Sequence, residues 1–544
     1  MHLLRRCASL LLLVLGTCAA VTAEAKSDGA CFEAALADVR AMVESAPEEW
    51  GLSVTVTDRE RTRMVVLHGY ADIDRRIPVT EQTRFAIGSI SKSFAAMVLM
   101  QMADEGRFDP AAPIARYLPE FHPKSAYAPI TGQSLLTHSS GLPNYLANVA
   151  SMRAVIAALN DVEPAYAPGA HFWYSNSGYQ LLGYAAERID GVPYPLIVRR
   201  RMLDRLGMTA SAPQIDAGQR GTMAKSYQRA PDGTLQDATW FPYLAADGGL
   251  VSTAGHMARY ARMLLARGAL PTGRLISERA FDRIAQPAVD DYGYGFDVFD
   301  GGGVLAHSGT IAGYKAYLNA DIAHGFAVIL LANGPLDNTL RDRIVARLTE
   351  AAGGHPRAIS PAPLAFADAA SFAGRFADAE GKALTFETGE GGGLTLPEPG
   401  GMLPLVRLGR NTWGAYVTAQ GPRCFQFFRN AAGAVIDVSV GASSYVKNDP
   451  AAATPGEWQP YTGRYMAHGA EGPGLRVLVR GGELMMAYTD SNAAPEALLA
   501  DGPGRFRLVD PEWAPERLVF DTVIDGKTQR LMMSGVPLYR IDLP

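Results

Sequence analysis

Cysteine, net charge and long apolar runs are all scarce in this sequence, and each shortage limits what the protein can be. The 544 residues include four cysteines, and 50 Lys and Arg stand against 55 Asp and Glu, which gives a formal net charge of −5. A slightly acidic chain without a run of Lys or Arg lacks the basic surface that a nucleic-acid-binding protein needs. Beyond the N-terminal segment the longest apolar runs, among them Phe326–Ala332, have seven residues and are too short to cross a membrane.

What is present is the composition of a globular protein. Hydrophobic residues make up 48% of the chain and aromatic residues 9%. These values exclude collagen-like, coiled-coil and wholly disordered chains. At about 150 residues per domain, the length predicts about three domains.

The first residues predict an export signal. Arg5-Arg6 forms a basic start, residues 7–21 are apolar, and Ala23-Glu24-Ala25 is a small-x-small cleavage site. We therefore expect residues 1–25 to be a signal peptide and the mature protein, with no transmembrane span, to be secreted or periplasmic. Two alternatives stay open, namely retention of the segment as an anchor and lipidation at Cys18, which follows a half-matching lipobox.

Removal of the signal peptide would leave two cysteines, Cys31 and Cys424. In an exported protein such a pair could form a disulfide that ties the N-terminal region to a distant part of the chain. Two unpaired thiols are the alternative, and the sequence leaves the choice open.

Apolar periodicity predicts an α/β domain over residues 26–352, with one sheet covered by helices. Two short β-like runs surround the charged turn Asp58-Arg59-Glu60-Arg61. A helix is predicted from about 89 to 105, ending at Gly106, and apolar residues on nearly every side indicate that it is buried. Further helical patterns cover 178–189, 254–266 and 341–351, and strand-like runs cover 304–307, 314–320 and 326–331.

Residues 353–365 are rich in Gly and Pro and predict a linker, after which a repeat begins. Phe372-Ala373-Gly374-Arg375-Phe376 recurs 89 positions later as Tyr461-Thr462-Gly463-Arg464-Tyr465. Phe427 recurs as Phe520, now 93 positions away, so about four residues are inserted between the two matches. We expect two related all-β modules, 366–450 and 455–544, each a small antiparallel barrel whose function the sequence does not indicate.

The strongest candidate for chemistry is Ser89-Ile90-Ser91-Lys92, at the start of the predicted buried helix. Residues three apart share a helix face, so the hydroxyl of Ser89 and the amine of Lys92 can meet within one turn. A Lys removed from water loses much of its preference for charge, and the neutral amine can take the Ser proton. A capped surface helix with a solvated Lys is the alternative, against which the apolar helix argues.

A second element, Tyr174-Ser175-Asn176, precedes another predicted helix. The phenol of Tyr174 could share the general-base role, and the amide of Asn176 could hold both the substrate carbonyl and the Lys92 amine. The alternatives are an aromatic ring in the core and an Asn that caps the helix. The neighbouring Trp173 is either a core residue or a wall of the cleft.

A third element, His307-Ser308-Gly309, ends a strand-like run. Gly309 would let a ligand backbone approach closely, and the amide of Thr310 could be an oxyanion donor. A structural histidine is the alternative at His307, and we expect His138 to be structural as well.

The order Ser-x-x-Lys, Tyr-x-Asn, His-x-Gly resembles that of the penicillin-recognising serine hydrolases. Residues 33–352 are similar to the family of class C β-lactamases, D-Ala-D-Ala carboxypeptidases, D-aminopeptidases and related esterases. The likeness extends to residues 84–94, 135–143 and 248–253, beyond the three motifs. It implies a β-lactamase/transpeptidase-like α/β (α+β) domain with an antiparallel sheet and helices, followed here by the two barrel-like modules.

The resemblance also implies a role for each candidate residue. Ser89 would be the acylated nucleophile, Lys92 its base and Tyr174 the partner in proton transfer. The amides of Ser89 and Thr310 would form the oxyanion hole. The residues expected to bind substrate are Asn176, His307, Gly309 and Thr310.

One position departs from the class C β-lactamases, which carry Lys-Thr-Gly where this chain has His-Ser-Gly. Lys is a permanent cation for a substrate carboxylate, whereas His is mostly neutral at pH 7. The departure argues against efficient β-lactam hydrolysis. His-x-Gly and the two β-modules look more like the D-aminopeptidase and some D,D-peptidase branches.

We therefore expect an exported serine hydrolase that works through an acyl-enzyme on amide or ester bonds, foremost in peptides that contain D-residues, including cell-wall-derived ones. An esterase or weak β-lactamase with the same machinery is one alternative, and a penicillin-binding sensor with little turnover is another. No metal or other cofactor is expected, because the ten His show no metal-ligand spacing. The oligomeric state stays open.

Overall fold

The computed structural model describes most of the chain between Cys31 and Ile541. The described residues are 31–46, 49–144, 152–229, 235–336, 338–356, 369–377, 382–389, 393–398, 401–407, 412–417, 421–429, 434–440, 443–447, 457–467, 474–480, 483–488, 496–509, 511 and 513–541. The predicted signal peptide, including Cys18, and most of the predicted linker lie outside them.

The part of the chain up to residue 352 is built on one antiparallel sheet, which confirms the predicted fold class. In chain order the strands of this part are β1 (Leu52–Asp58), β2 (Thr62–His68), β3 (Tyr70–Asp72), β4 (Ile77–Pro78), β5 (Phe85–Ala86), β6 (Tyr227–Arg229), β7 (Leu235–Asp237), β8 (Val251–Ser252), β9 (Ala269–Leu270), β10 (Gly273–Arg274), β11 (Asp297–Phe299), β12 (Val304–Ile311), β13 (Tyr314–Asp321) and β14 (Phe326–Ala332). The main sheet has six strands in the order β11-β12-β13-β14-β1-β2.

Helices cover both faces of this sheet. They are α1 (31–44), α2 (Ser91–Asp104), α3 (Gly132–Leu136), α4 (Met152–Asn160), α5 (Asn176–Asp190), α6 (Tyr194–Val198), α7 (Ala254–Leu265), α8 (Glu278–Ile284) and α9 (Asn338–Ala351). The alternation along β14 shows the two layers, since Ile329 packs in the core that holds α2 and Leu330 in the core that holds α1 and α9. Burial on both faces explains why β14 is apolar at every position.

Helix α2 lies in the centre of the larger core. Its first twelve residues are all buried, as its apolar sequence predicts. The helix ends where predicted, because Gly106 adopts a left-handed conformation with φ of 71°. Ser89 lies just before α2, in a 3₁₀ turn formed by Gly88–Ile90.

Two closed eight-stranded barrels follow, where the sequence repeat predicts two β-modules. The first contains β15 (Gly374–Ala377), β16 (Ala383–Thr388), β17 (Leu394–Glu398), β18 (Gly401–Arg407), β19 (Thr412–Val417), β20 (Gly421–Arg429), β21 (Val435–Val440) and β22 (Ser443–Lys447). The second contains β23 (Gly463–Ala467), β24 (Gly474–Arg480), β25 (Glu483–Tyr488), β26 (Glu496–Ala500), β27 (Arg505–Leu508), β28 (Arg517–Ile524), β29 (Lys527–Met533) and β30 (Val536–Ile541).

The repeated residues occupy equivalent positions in the two barrels. Phe427 lies on the sixth strand of the first barrel and Phe520 on the sixth strand of the second. The ring centroid of Phe376 is 5.8 Å from that of Phe427, and the centroid of Tyr465 is also 5.8 Å from that of Phe520. The same aromatic cluster therefore fills both barrels.

Cys31 is an exposed free thiol, so the structure takes the unpaired alternative at this residue. Among the helices of the described residues, none combines the length and the apolar character needed to cross a membrane.

Candidate active site

The turn that carries Ser89 lies directly against strand β12. A methyl group on Gly309 would lie 1.9 Å from the carbonyl oxygen of Ile87 and 3.3 Å from the amide nitrogen of Ser89. A methyl group on Gly88, whose φ is 51°, would lie 2.6 Å from the amide nitrogen of Thr310. Two glycines thus let the backbones touch, and the Thr310 amide comes next to the segment that carries the hydroxyl.

Lys92 is fully buried and donates three hydrogen bonds from its amine. Its Nζ lies 3.0 Å from Ser89 Oγ, 2.6 Å from Asn176 Oδ1 and 2.7 Å from the carbonyl oxygen of Asp247. An ammonium group has three donors and no acceptor, so these partners satisfy it completely. When the amine is neutral, its lone pair can accept the proton of the Ser89 hydroxyl.

Burial lowers the pKa of Lys92 from 10.5 to about 7, although the charge of Asp247 opposes the change. The charged form loses its hydration when it is buried, and this loss favours the neutral amine. At neutral pH a large share of the molecules therefore holds a base in contact with the Ser89 hydroxyl.

Asp247 is a member of the site that the sequence reasoning missed. Its carboxyl is buried, its Oδ2 accepts a 2.7 Å hydrogen bond from the Tyr243 hydroxyl, and its carbonyl accepts from Lys92. Burial raises the pKa of this carboxyl, against the attraction of Lys92. The signal in the sequence was the position of Asp247 directly before Gly248-Gly249, at the edge of a segment that the family resemblance includes.

Asn176 begins helix α5, but it does not cap it. Ser175 is the cap, since its Oγ accepts a 3.2 Å hydrogen bond from the amide of Gly178. The Asn176 side chain is left to connect Lys92 with Asn144, whose Oδ1 accepts 3.0 Å from Asn176 Nδ2. The helix start places this amide at the amine, and the role of Asn176 in substrate binding stays a prediction.

Tyr174 lies beside the buried amine. Lys92 Nζ is 4.8 Å from the centroid of the Tyr174 ring and 5.7 Å from that of Tyr179. The face of an aromatic ring attracts a cation, so both rings act against the loss of charge that burial causes. The structure thus brings Ser89, Lys92, Tyr174 and Asn176 into one cluster.

His138 supports the segment that carries Tyr174. Its ring lies 4.2 Å from the Tyr174 ring, and its Nδ1 accepts a 2.9 Å hydrogen bond from the amide of Ser175. An accepting Nδ1 cannot carry a proton, and burial lowers the pKa of His138 well below its usual value. His138 is therefore neutral and has the structural place that the sequence predicts.

His307 lies at the other side of the site, on β12, and both of its nitrogens are engaged. Nδ1 donates to the carbonyl of Ser308 at 2.6 Å, so the neutral Nε2 accepts from the hydroxyl of Tyr292 at 3.0 Å. Burial lowers the pKa of His307 to about 3. His307 thus supplies no positive charge at neutral pH, in agreement with the expectation drawn from its residue type.

Trp173 extends from the site to the second barrel. Its ring packs against the core of that barrel, and its indole nitrogen donates a 2.9 Å hydrogen bond to Glu516 Oε1. Trp173 is therefore neither only a core residue nor only a wall of the cleft, because it joins the catalytic part of the chain to the second barrel. No group of His, Cys, Asp or Glu in the described ranges is arranged to hold a metal ion.

Comparisons with known proteins concern the family and the fold of the chain. The family model described as Beta-lactamase matches residues 39–352. Protein Rv1367c of Mycobacterium tuberculosis (strain ATCC 25618 / H37Rv) is 29% identical over 263 residues, which cover 42% of this chain and 65% of that protein. Penicillin-binding protein 4* of Bacillus subtilis (strain 168) is 24% identical over 357 residues, or 60% of this chain and 78% of that protein.

A solved structure shares the fold over a larger part of the chain. The octameric penicillin-binding protein homologue from Pyrococcus abyssi has a TM-score of 0.52 and 22% sequence identity. The match covers 76% of this chain and 99% of that chain. By contrast, this chain spans 65% of the length of the M. tuberculosis relative.

Proposed function

The chain belongs to the Beta-lactamase family, and from the site geometry we propose that it is an exported serine hydrolase that cleaves amide bonds in peptides containing D-residues. The observation that carries the proposal is the 3.0 Å contact between Ser89 Oγ and the buried amine of Lys92. We propose the division of the chain into a signal peptide, a catalytic domain over 26–352, a linker over 353–365 and two β-modules as part of the same account.

In the proposed reaction, neutral Lys92 takes the hydroxyl proton of Ser89 while the oxygen attacks the carbonyl carbon of the substrate. The amides of Ser89 and Thr310 stabilise the negative oxygen of the tetrahedral intermediate. The bond to the leaving amine then breaks, and the proton that Lys92 took passes by way of Tyr174 to the departing nitrogen. Water activated by Lys92 and Tyr174 attacks the acyl-enzyme, which releases the acid and restores the Ser89 hydroxyl.

The neutral state of His307 supports the choice of substrate. A cation at this position would favour substrates with a carboxylate next to the scissile bond, as β-lactams have. Because both nitrogens of His307 are engaged and its pKa is about 3, this attraction is lacking at neutral pH. Peptides attacked from their amino end need no such carboxylate, and we therefore place a D-aminopeptidase activity first.

The test is a panel of substrates offered to the wild type and to two matched variants. D- and L-alanine p-nitroanilide report amide cleavage and stereochemistry, p-nitrophenyl acetate reports ester cleavage, and penicillin G reports β-lactam turnover. We expect the D-anilide to be cleaved faster than the L-anilide, and Ser89→Ala to abolish all turnover. Ser91→Ala is the control, since the Ser91 hydroxyl accepts a hydrogen bond from the backbone amide of Leu250 and should not be needed for turnover.

Three outcomes would change the proposal. Ester turnover without D-amide cleavage would favour an esterase, and a long-lived penicillin adduct in the intact mass without product would favour a sensor. Turnover that survives in Ser89→Ala would overturn the catalytic assignment itself.

A further inference from the structure

The segment of the second barrel that precedes β28 contacts the catalytic part of the chain close to the site. The ring of Trp513 stacks on the imidazole of His171, with centroids 4.4 Å apart and an angle of 15° between the planes. Glu516, three residues further on, is 6% exposed and reaches the backbone of Asn144 in the catalytic part. The contact thus has an aromatic part, formed by Trp513 and His171, and a polar part, formed by Glu516 and Asn144. Hydrogen bonds connect the polar part to Lys92.

Glu516 uses one carboxylate oxygen to hold two groups of the catalytic part. Its Oε1 accepts 2.9 Å from the indole nitrogen of Trp173 and 3.2 Å from the backbone amide of Asn144. The other oxygen, Oε2, has no hydrogen-bond partner among the described residues. A buried carboxyl group with only one oxygen satisfied costs stability, and burial accordingly raises the pKa of Glu516. A contribution to stability alone therefore does not explain why the Glu516 carboxyl lies at this interface.

The hydrogen bonds continue from Glu516 to the catalytic amine. Asn144 Oδ1 accepts from the backbone amide of Asn176 at 3.2 Å and from its Nδ2 at 3.0 Å. Because Nδ2 is committed to Asn144, the oxygen of the Asn176 amide faces Lys92 and accepts from it at 2.6 Å. With the Asn176 amide reversed, its oxygen would face the Asn144 oxygen, acceptor against acceptor, so Asn144 determines which end of Asn176 meets the amine.

The segment that carries Asn144 is fixed from two sides. From the catalytic part, Ser175 Oγ donates to the carbonyl of Pro143 at 2.8 Å. From the second barrel, Glu516 accepts from the amide of the next residue, Asn144. Loss of either anchor would let the Asn144 side chain move relative to α5.

We propose that Glu516 of the second barrel is a positioning residue for the catalytic site, acting through Asn144 and Asn176 on Lys92. The inference rests on the proposed function for its meaning in catalysis, although the hydrogen-bond network stands without it. It gives the second barrel a task that the sequence does not reveal, which is to complete the set of contacts that orients the base.

Three variants test the proposal. Glu516→Ala removes the acceptor, Glu516→Gln keeps an oxygen that can accept from Asn144, and Trp173→Phe removes the other donor to the same oxygen. Two quantities are measured, namely kcat and KM for p-nitrophenyl acetate and the titration of Lys92 followed by NMR in protein labelled with lysine carrying ¹³C at Cε. The titration does not require turnover.

For Glu516→Ala we expect kcat at pH 7 to fall about 10-fold with KM unchanged, as is typical when a group that orients a catalytic side chain is lost. The Lys92 midpoint should move down by about half a pH unit, because a less fixed Asn176 stabilises the ammonium less well. Glu516→Gln and Trp173→Phe should stay within about 2-fold of wild type, since the Asn144 contact survives in both.

A merely structural contact gives a different pattern. If Glu516→Ala lowers the melting temperature but leaves kcat and the Lys92 titration as in wild type, the residue only docks the barrel and the proposal is wrong. If Glu516→Gln falls as far as Glu516→Ala, charge and not geometry is responsible, and the proposal is wrong as well. A wild type without any ester or amide turnover would refute the proposed function, while the titration would still decide the inference.

Discussion

The catalytic site buries polar and ionisable side chains, whereas the interiors of the two barrels bury mainly aromatic and aliphatic ones. The site encloses an amine, a carboxyl and an imidazole at Lys92, Asp247 and His307, and burial shifts the pKa of each toward its neutral form. The barrels enclose aromatic rings such as Phe427 and Phe520, which lose nothing when they leave water. Burial in the site makes chemistry available at the expense of stability, whereas burial of the aromatic rings in the barrels supplies stability.

The two barrels also differ from each other in what they present to the rest of the molecule. Their cores share one aromatic cluster, but residues 509–516, eight in number, join β27 to β28, whereas residues 418–420, three in number, join β19 to β20. The longer connection carries Trp513 and Glu516, which contact the catalytic part. The two barrels thus share a core, and among the described residues the second barrel contacts the catalytic part through this longer connection.

The substitutions with the largest expected effect test whether the second barrel, unlike the first, influences the site. Phe427→Ala and Phe520→Ala remove rings at equivalent positions, and each should lower the free energy of unfolding of its barrel by about 3–5 kcal/mol. Phe520→Ala should also slow ester hydrolysis, because Phe520 lies four residues from Glu516, while Phe427→Ala should not. Denaturant unfolding and kcat, measured below the unfolding transition, separate the two effects. Equal losses of kcat in both variants would remove the distinction between the barrels.

The next effect concerns the site, where a displaced backbone should lower kcat. Gly309→Ala places a methyl group 1.9 Å from the Ile87 carbonyl oxygen, so β12 must move away from the turn that carries Ser89. We expect kcat to fall about 100-fold, the size of effect seen when an oxyanion donor is displaced.

Gly255→Ala is the matched control for this change. Gly255 lies in α7 and has open space where a methyl group would stand. Ala is the better helix former there, so the variant should keep full activity and gain up to about 1 kcal/mol of stability. An active Gly309→Ala enzyme would show that the contact between β12 and the Ser89 turn is not needed for turnover.

The effect that is smallest per unit of pH is a dependence of stability on pH that arises at His307 in the site. His307 has a pKa of about 3 in the folded protein against 6.5 as its ordinary value. Between these values the unfolded chain binds a proton that the folded chain does not, so the free energy of unfolding falls as pH decreases from about 6.5.

His307→Gln should lower the slope of the free energy of unfolding against pH by the contribution of one proton. This contribution is about 1.4 kcal/mol per pH unit over that range. Denaturant unfolding at several pH values checks the slope. His138, whose pKa is also lowered by burial, contributes the same sign and remains in the variant. A slope that does not change in His307→Gln would mean that His307 is protonated in the folded protein.

Much of this arrangement could be predicted from local sequence. The apolar residues of α2, the stop at Gly106 and the motif of Ser89 and Lys92 lie within a few turns of one another, where periodicity and spacing decide the structure. The barrels followed from the repeat. The end of β12 was predicted four residues too early, because Ser308 and Gly309 have little strand propensity, and the strand continues to Ile311 through its pairing with β13.

The residues that sequence reasoning missed are those that only the tertiary fold brings to the site. Asp247 meets Lys92 across 155 positions of the chain, and Glu516 meets Asn144 across 372. No periodicity, cap or turn links residues so far apart. A buried carboxyl is recognised only when its surroundings are known, which is why Asp247 and Glu516 became visible in the structure alone.

The most direct test of the central claim, that a buried Lys92 activates Ser89, is the pH dependence of covalent modification. A fluorophosphonate, which phosphonylates nucleophilic serines with loss of fluoride, is added from about pH 5 to about pH 10, and the adduct is timed by intact mass and located by peptide mapping. We expect the label on Ser89, with half the maximal rate near pH 7, where Lys92 loses its proton. A label on another residue, or a rate that rises only near the pKa of about 10.4 of a solvated Lys, would contradict the account.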